Sequence, residues 1–273
     1  MLGLATQEVM KLPGVDLQFI TELLLIFLVS TLRIGAFLLS SPIFGARWLP
    51  LQVRIVMAFA FGTAIAGQTP PFDVVTLTSA AGVMMMLVEI AIGLTAGLTL
   101  TIWFSAILLA GEKIAASAGL GFAAQVDPST GGQTPVVSQI LYLFLLVIFL
   151  SVDGHLLAIG TMLESYRILP IGGTVNPGLL LEAGISAAGS MFLAATIIML
   201  PIALVLLLIN VTIGIITRSA PQLNLFSFGF PISLLAVFIL LYFSASALGG
   251  SAQSLIESAL TALRVLIGGL DDG

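Results

Sequence analysis

The chain has 273 residues, 59% of them hydrophobic and only 8% charged, with a mean hydropathy of +1.22; a soluble domain reaches such values only by exposing large apolar surface. Eight basic residues against 13 acidic ones, with no basic cluster, leave nucleic-acid binding and polybasic lipid targeting unsupported. The absence of cysteine removes disulfides and thiolate metal sites, so the composition is that of an integral membrane protein or of a chain buried in an assembly.

The first 16 residues, MLGLATQEVMKLPGVD, carry an acid and a lysine before Pro13 and no basic region ahead of a cleavable apolar core, and they read as mature sequence. Apolar helical segments then fall at about 17–41, 52–67, 74–110, 135–151, 178–217 and 231–248, followed by a weaker amphipathic tail at about 251–268. Turn-forming stretches separate them: SPIFGARWLP (41–50), GQTPPFD (67–73), GLGFAAQVDPSTGG (119–132), ILPIGGTVNPG (168–178) and APQLNLFSFGFP (220–231). No Gly/Ser or charged linker divides the chain, and one integral unit is expected.

Two segments are too long for simple spans. As helices, 74–110 and 178–217 would measure roughly 55 and 60 Å against a hydrocarbon core of about 30 Å. They are expected to bend, tilt steeply or leave the bilayer, with Gly93, Gly97 and Pro201 as break points. Orientation is weakly encoded. In an alternating topology Arg47, Arg54, Lys113 and Arg218 fall on one side, and Lys11, Arg167 and Arg264 on the other.

Glu22, Arg33 and Glu89 lie inside apolar segments and Asp153 at a segment end, so each should face protein or water. Glu22 and Arg33 share a face of one helix but stand about three turns apart, too far to pair. A proton or ion relay is one reading of these groups. Capping by neighbouring helices or partners is the favoured one, because a relay needs more facing acids than this chain offers. Catalysis has little to stand on: His155 is the single histidine, which excludes HExxH-type zinc chemistry, and Asp153 would not share its helix face. Ser117 and Ser186 only loosely resemble nucleophile settings. The consecutive Met84, Met85 and Met86 read as ordinary packing.

The stretch Gly111 to Gly132 is different, with five glycines, five alanines and two serines. Its backbone is easily rearranged and its side chains are thin. Leu120 and Phe122 supply bulk at a tip, Val126 follows, and Asp127-Pro128 imposes a turn. Such a segment can act as a withdrawable apolar stopper in a pore or as a connecting loop that merely packs; spacing alone leaves both open.

Taken together, RIGAFLLSSPIFGARWLPLQVRI (33–55), GEKIAASAGLGFAAQVDPSTG (111–131), FLSVDGHLLAI (149–159) with SYRILPIG (165–172), and APQLNLFSFGFP (220–231) resemble the FliR/SctT export-gate family of type III secretion, in its flagellar branch. The resemblance implies an all-α, membrane-associated protein of bent helical hairpins, a FliP-like portion over 1–175 joined to a FliQ-like portion over 176–273. It implies a non-enzymatic subunit without cofactors, in the flagellar basal body at the bacterial inner membrane. There it would assemble with FliP and FliQ into a cone-like pore, with FlhB and FlhA at the cytoplasmic entrance and unfolded flagellar proteins as cargo. It also implies a pore plug formed by Ala116, Gly119, Leu120, Gly121, Phe122, Val126, Asp127 and Pro128, with Leu120 and Phe122 as the obstructing groups. Partner-contacting or structural roles are implied for Arg33, Pro42, Arg54, Glu89, Asp153, His155, Pro170, Pro221, Gln222, Asn224 and Phe226. Ala118 and Gln125 depart from the bulkier apolar residues expected there, which implies a looser plug. The readings from other classes are a secondary transporter with Arg33 and Glu89 lining a midplane site, and a purely structural membrane subunit.

Overall fold

The computed structural model describes residues 17–67, 79–119, 136–220 and 229–272. Among these residues the chain is helical and carries no strand. The helices are α1 (Leu17–Ser40), α2 (Leu51–Ala66), α3 (Ala80–Ser117), α4 (Val136–Ser151), α5 (Gly154–Ile168), α6 (Pro177–Ser219), α7 (Phe230–Phe243) and α8 (Ala245–Gly268), followed by a 3-10 turn at Gly269–Asp272. The all-α class and the six apolar segments expected from the sequence are found, as is the tail helix.

Three differences carry physical content. The two overlong segments do not break at Gly93, Gly97 or Pro201: α3 runs unbroken for 38 residues and α6 for 43, or roughly 57 and 65 Å. The sharp bends fall elsewhere, 66° between α4 and α5 and 67° between α7 and α8. Helix α5 has no counterpart among the expected segments, because Glu164, Arg167 and His155 dilute its apolar pattern. Finally, α3 extends to Ser117, so GEKIAAS continues the helix and does not open the loop.

Among the described residues three helices are long and apolar enough to cross a membrane, through Leu23–Ser40, Ala80–Ser117 and Pro177–Ser219, and five spans result if each bent pair counts as one. The chain divides into two compact units, one of residues 1–98, 159–184 and 263–273, the other of 99–158 and 185–262.

In the first unit α1 and α2 form an antiparallel hairpin. Phe27 stacks on Phe59 with ring centroids 5.1 Å apart, Gly62 abuts Thr31 and Gly35 faces Ala58. Helix α3 packs on another face of α1 and runs parallel to it: Glu89 meets Arg33, Gly93 meets the Arg33 carbonyl and Ala36, and Gly97 meets Phe37, Ser40 and Ser41. A Cβ at Gly93 or Gly97 would overlap the α1 backbone, so these glycines serve close helix approach, the use of small residues four apart in apolar helices. Buried Val29 and Ile171 pack with Leu25, Met85, Met86 and Tyr166. Met84 is exposed, so only two of the three consecutive methionines are packed.

In the second unit α3 and α4 run antiparallel. Phe104 meets Phe149 edge-on at 5.1 Å, and Gly111 lies against the Ser138 backbone. The α4–α5 corner is made by Asp153, whose φ of 55° lies in the left-handed region, and by Gly154, where any side chain would strike the Phe149 ring.

Candidate functional site

Among the described residues the most heavily bonded polar cluster lies in the first unit. Arg33 and Glu89 are 0% and 1% exposed, and each would be expensive in an apolar environment without the other. The guanidinium meets the carboxylate side-on, with Nε donating to Oε2 at 2.7 Å and Nη2 to Oε1 at 3.0 Å. This two-pronged geometry matches the rigid fork of arginine to both carboxylate oxygens.

The remaining nitrogen turns to α5. Nη1 donates to the carbonyls of Ser165 and Leu169 at 2.9 and 3.0 Å, and to the Ser165 hydroxyl at 3.1 Å. These carbonyls sit at the C-terminal end of α5, where orphan acceptors and the negative end of the helix dipole favour a cation. The Ser165 hydroxyl passes its own proton to the Met162 carbonyl at 2.7 Å.

Tyr166 completes the cluster. Its ring lies under the guanidinium, with Cζ 4.4 Å from the centroid. Its hydroxyl donates to the Ser30 carbonyl at 2.9 Å and accepts from the Ile34 N–H at 3.1 Å, bridging an i, i+4 pair of α1. The cluster thus ties α1, α3 and the end of α5 together, and every polar arm on it is engaged. Within the chain Arg33 and Glu89 are thus capped by each other and by the end of α5; the Glu22 side chain is outside the described residues.

Other expected site residues are placed as follows. Pro42 lies in the turn after α1. Arg54, on the first turn of α2, donates through Nη2 to the carbonyls of Ala46 and Leu49 and so closes that turn. Asp153 forms the α4–α5 corner, and its carbonyl accepts from the N–H groups of Leu156 and Leu157. His155 stands on the first turn of α5 with a buried Nδ1 that has no partner. Pro170 follows α5 in a turn, accepting from the Gly173 N–H at 3.0 Å. Among the described residues no group of three His, Asp or Glu is placed to hold a metal.

Of the expected plug, Ala116 lies within α3 and Gly119 ends it with φ 81°. The left-handed turn there is the helix-ending conformation glycine favours. Leu120, Gly121, Phe122, Val126, Asp127 and Pro128 lie outside the described residues, as do Pro221, Gln222, Asn224 and Phe226.

The sequence reading missed Ser165, Tyr166 and Asn210. Asn210 is the lone asparagine of the apolar run LPIALVLLLINVTIGII, which was the available signal. Its Nδ2 donates to the Ser117 carbonyl at 2.8 Å, and its Oδ1 accepts from the Ser233 hydroxyl at 3.1 Å.

This helical, apolar, polar-clamped architecture, with helices long and apolar enough to cross a membrane, is that of an α-helical membrane protein, and the comparisons with known proteins say of which family. The family model for bacterial export proteins, family 1, matches residues 24–259, and the chain belongs to that family. Its relatives are flagellar. It is 35% identical to the flagellar biosynthetic protein FliR of Escherichia coli (strain K12) over 74% of this chain and 77% of that one. It is 31% identical to FliR of Aquifex aeolicus over 82% and 86%, and 28% identical to FliR of Bacillus subtilis over 91% and 96%.

Proposed function

We propose that the chain is a non-enzymatic subunit of a flagellar type III export gate, supplying part of the channel wall and its plug. It assembles with FliP-like and FliQ-like chains in the inner membrane at the basal body, with FlhB- and FlhA-like proteins at the cytoplasmic entrance. Unfolded flagellar subunits pass through, driven from elsewhere. The observation that carries this reading is the likeness to flagellar FliR proteins over most of the chain.

The helices support it physically. Helix α6 exposes Leu181, Ile185, Leu193, Ile197, Leu208 and Ile215 along a length of roughly 65 Å, and a hydrocarbon layer of about 30 Å covers less than half of that. The remainder needs protein neighbours. A FliP-like portion ending near 175 and a FliQ-like portion beginning near 176 would meet in the connector before α6. The secondary-transporter reading fares worse, because Arg33 and Glu89 are sealed against each other and leave no open site.

The test is to co-express the chain with FliP-like and FliQ-like partners, isolate the complex and read its small-ion conductance. Replacing Leu120 and Phe122 by glycine is expected to make the assembled gate leak. Intact assembly with unchanged conductance removes the plug assignment, and failure to co-purify removes the gate.

A further inference from the structure

The exposed face of the chain changes character at the corner between α7 and α8. On α7 it is one apolar stripe: Leu235, Phe238, Ile239, Tyr242 and Phe243 are exposed at the i, i+3, i+4, i+7 and i+8 positions of a single helix face, while Ser233 and Val237 turn inward. On α8 the exposed positions are small or polar, among them Ser246, Gly250, Gln253, Ser254, Glu257 and Thr261, and the one large apolar side chain exposed along it is Val265 near its far end. The apolar face of α8 is already covered by the chain, with Ala252, Leu255, Ile256 and Ala259 buried.

Between the two helices lies the 67° bend. The Ser244 N–H donates to the Leu240 carbonyl, and the Ser244 carbonyl accepts from the Leu248 N–H. The corner therefore turns with its backbone bonded, as a bend at the edge of an apolar layer requires. Tyr242 and Phe243, edge to face with centroids 5.6 Å apart, stand beside it.

The two faces suit different surroundings. Helix interfaces inside a membrane favour small residues and hydrogen-bonding side chains. The α7 stripe offers Leu, Phe and Ile side by side, which match acyl chains, and it ends in a tyrosine, a residue that collects at headgroup level. Gln253 and Glu257 would be costly against hydrocarbon and match water. With 14 residues, or roughly 21 Å, α7 fits inside a hydrocarbon layer of about 30 Å without α8.

We propose that the α7–α8 corner docks at the surface of a lipid bilayer. Helix α7 lies in hydrocarbon with its stripe on acyl chains, Tyr242 and Phe243 sit at the headgroup boundary, and α8 runs outside the bilayer with its polar face in water. The bent pair is then one membrane segment and one aqueous helix, not a single broken span. The inference needs only a chain inserted in a membrane and is independent of the gate and plug readings.

The test places a nitroxide on single cysteines, introduced into the cysteine-free chain as Leu235→Cys, Ile239→Cys, Ser246→Cys, Gln253→Cys, Glu257→Cys and Thr261→Cys. The full chain, assembled with FliP-like and FliQ-like partners, is reconstituted in vesicles of phosphatidylethanolamine and phosphatidylglycerol. Collision with oxygen, which partitions into hydrocarbon, is compared with collision with a water-soluble nickel chelate. Oxygen should dominate at 235 and 239 and nickel at 253, 257 and 261, with the ratio inverting between 239 and 253.

A ratio that does not invert overturns the proposal. Exclusion of both reagents from either helix overturns it too, by putting protein in the place of lipid or water. Should a label keep the complex from forming, the bare cysteines decide: in opened membranes a membrane-impermeant maleimide should alkylate Gln253→Cys and Glu257→Cys and spare Leu235→Cys and Ile239→Cys, and equal or reversed reactivity overturns the proposal. If the partners fail to co-purify, the gate reading falls, and the same maleimide reaction in membranes of cells expressing the chain still decides this one.

Discussion

Arg33 shows how a single charge is made tolerable inside an apolar helix. Glu89 neutralises it, the α5 carbonyls use its remaining donors, and the Tyr166 ring covers its face. Removing one member of a buried pair leaves the other uncompensated, so Glu89→Leu should lower stability by about 3–5 kcal/mol, read as thermal unfolding of the detergent-solubilised complex. Arg33→Met with Glu89→Leu should recover only part of that loss, because the Leu169 carbonyl and the Ser165 carbonyl lose their guanidinium donor, the latter keeping only the Leu169 N–H. A double-variant loss equal to the sum of the two single-variant losses would show that the pair is not coupled. Tyr166→Phe keeps the ring but strips the bridge from Ser30 and Ile34, and should cost about 1 kcal/mol in the same measurement. Both charges could be picked out from sequence because an ion in an apolar run is conspicuous. Their pairing could not: the partners stand 56 residues apart on different helices, and neither Ser165 nor Tyr166 has a composition that marks it.

At the scale of elements, glycine was the ambiguous letter. Gly93 and Gly97 suggest weakness when α3 is considered alone, since glycine is a poor helix former. Against α1 they become the reason the two helices can touch, and the packing recovered there holds the helix unbroken. Gly93→Leu should therefore separate α3 from α1 and break the Arg33–Glu89 fork, with loss of folded protein at growth temperature as the measurement. Gly214 in α6 has open space where a side chain would project, so Gly214→Ala should be neutral or stabilise by up to about 1 kcal/mol. Opposite outcomes from two helical glycines separate packing from propensity. Helix α5 is hard to see in the sequence for a simpler reason: His155, Glu164 and Arg167 interrupt the apolar pattern that signals a span.

For the whole molecule, apolar composition and motif order made class and family legible, because they are properties of the chain itself. The close-packed faces and the Asn210 clamp depend on which helices meet, which periodicity does not specify. The large exposed apolar area of α6 and α7, including Tyr242 and Phe243 at 78% and 79% exposure, predicts that the isolated chain will aggregate or hold much detergent. Co-expression with FliP-like and FliQ-like chains should turn it into a single sharp species on size-exclusion chromatography. A monodisperse, low-detergent monomer would count against the assembly.

The Arg33–Glu89 pair also has a consequence in time. At about 5–20 residues per second, the ribosome needs roughly 3–11 s to add the 56 residues that separate cation from counter-ion. Throughout that interval the first helix carries an arginine whose counter-ion has not yet been made. The bond that locks the finished fold therefore becomes available only late in synthesis, once the third helix exists.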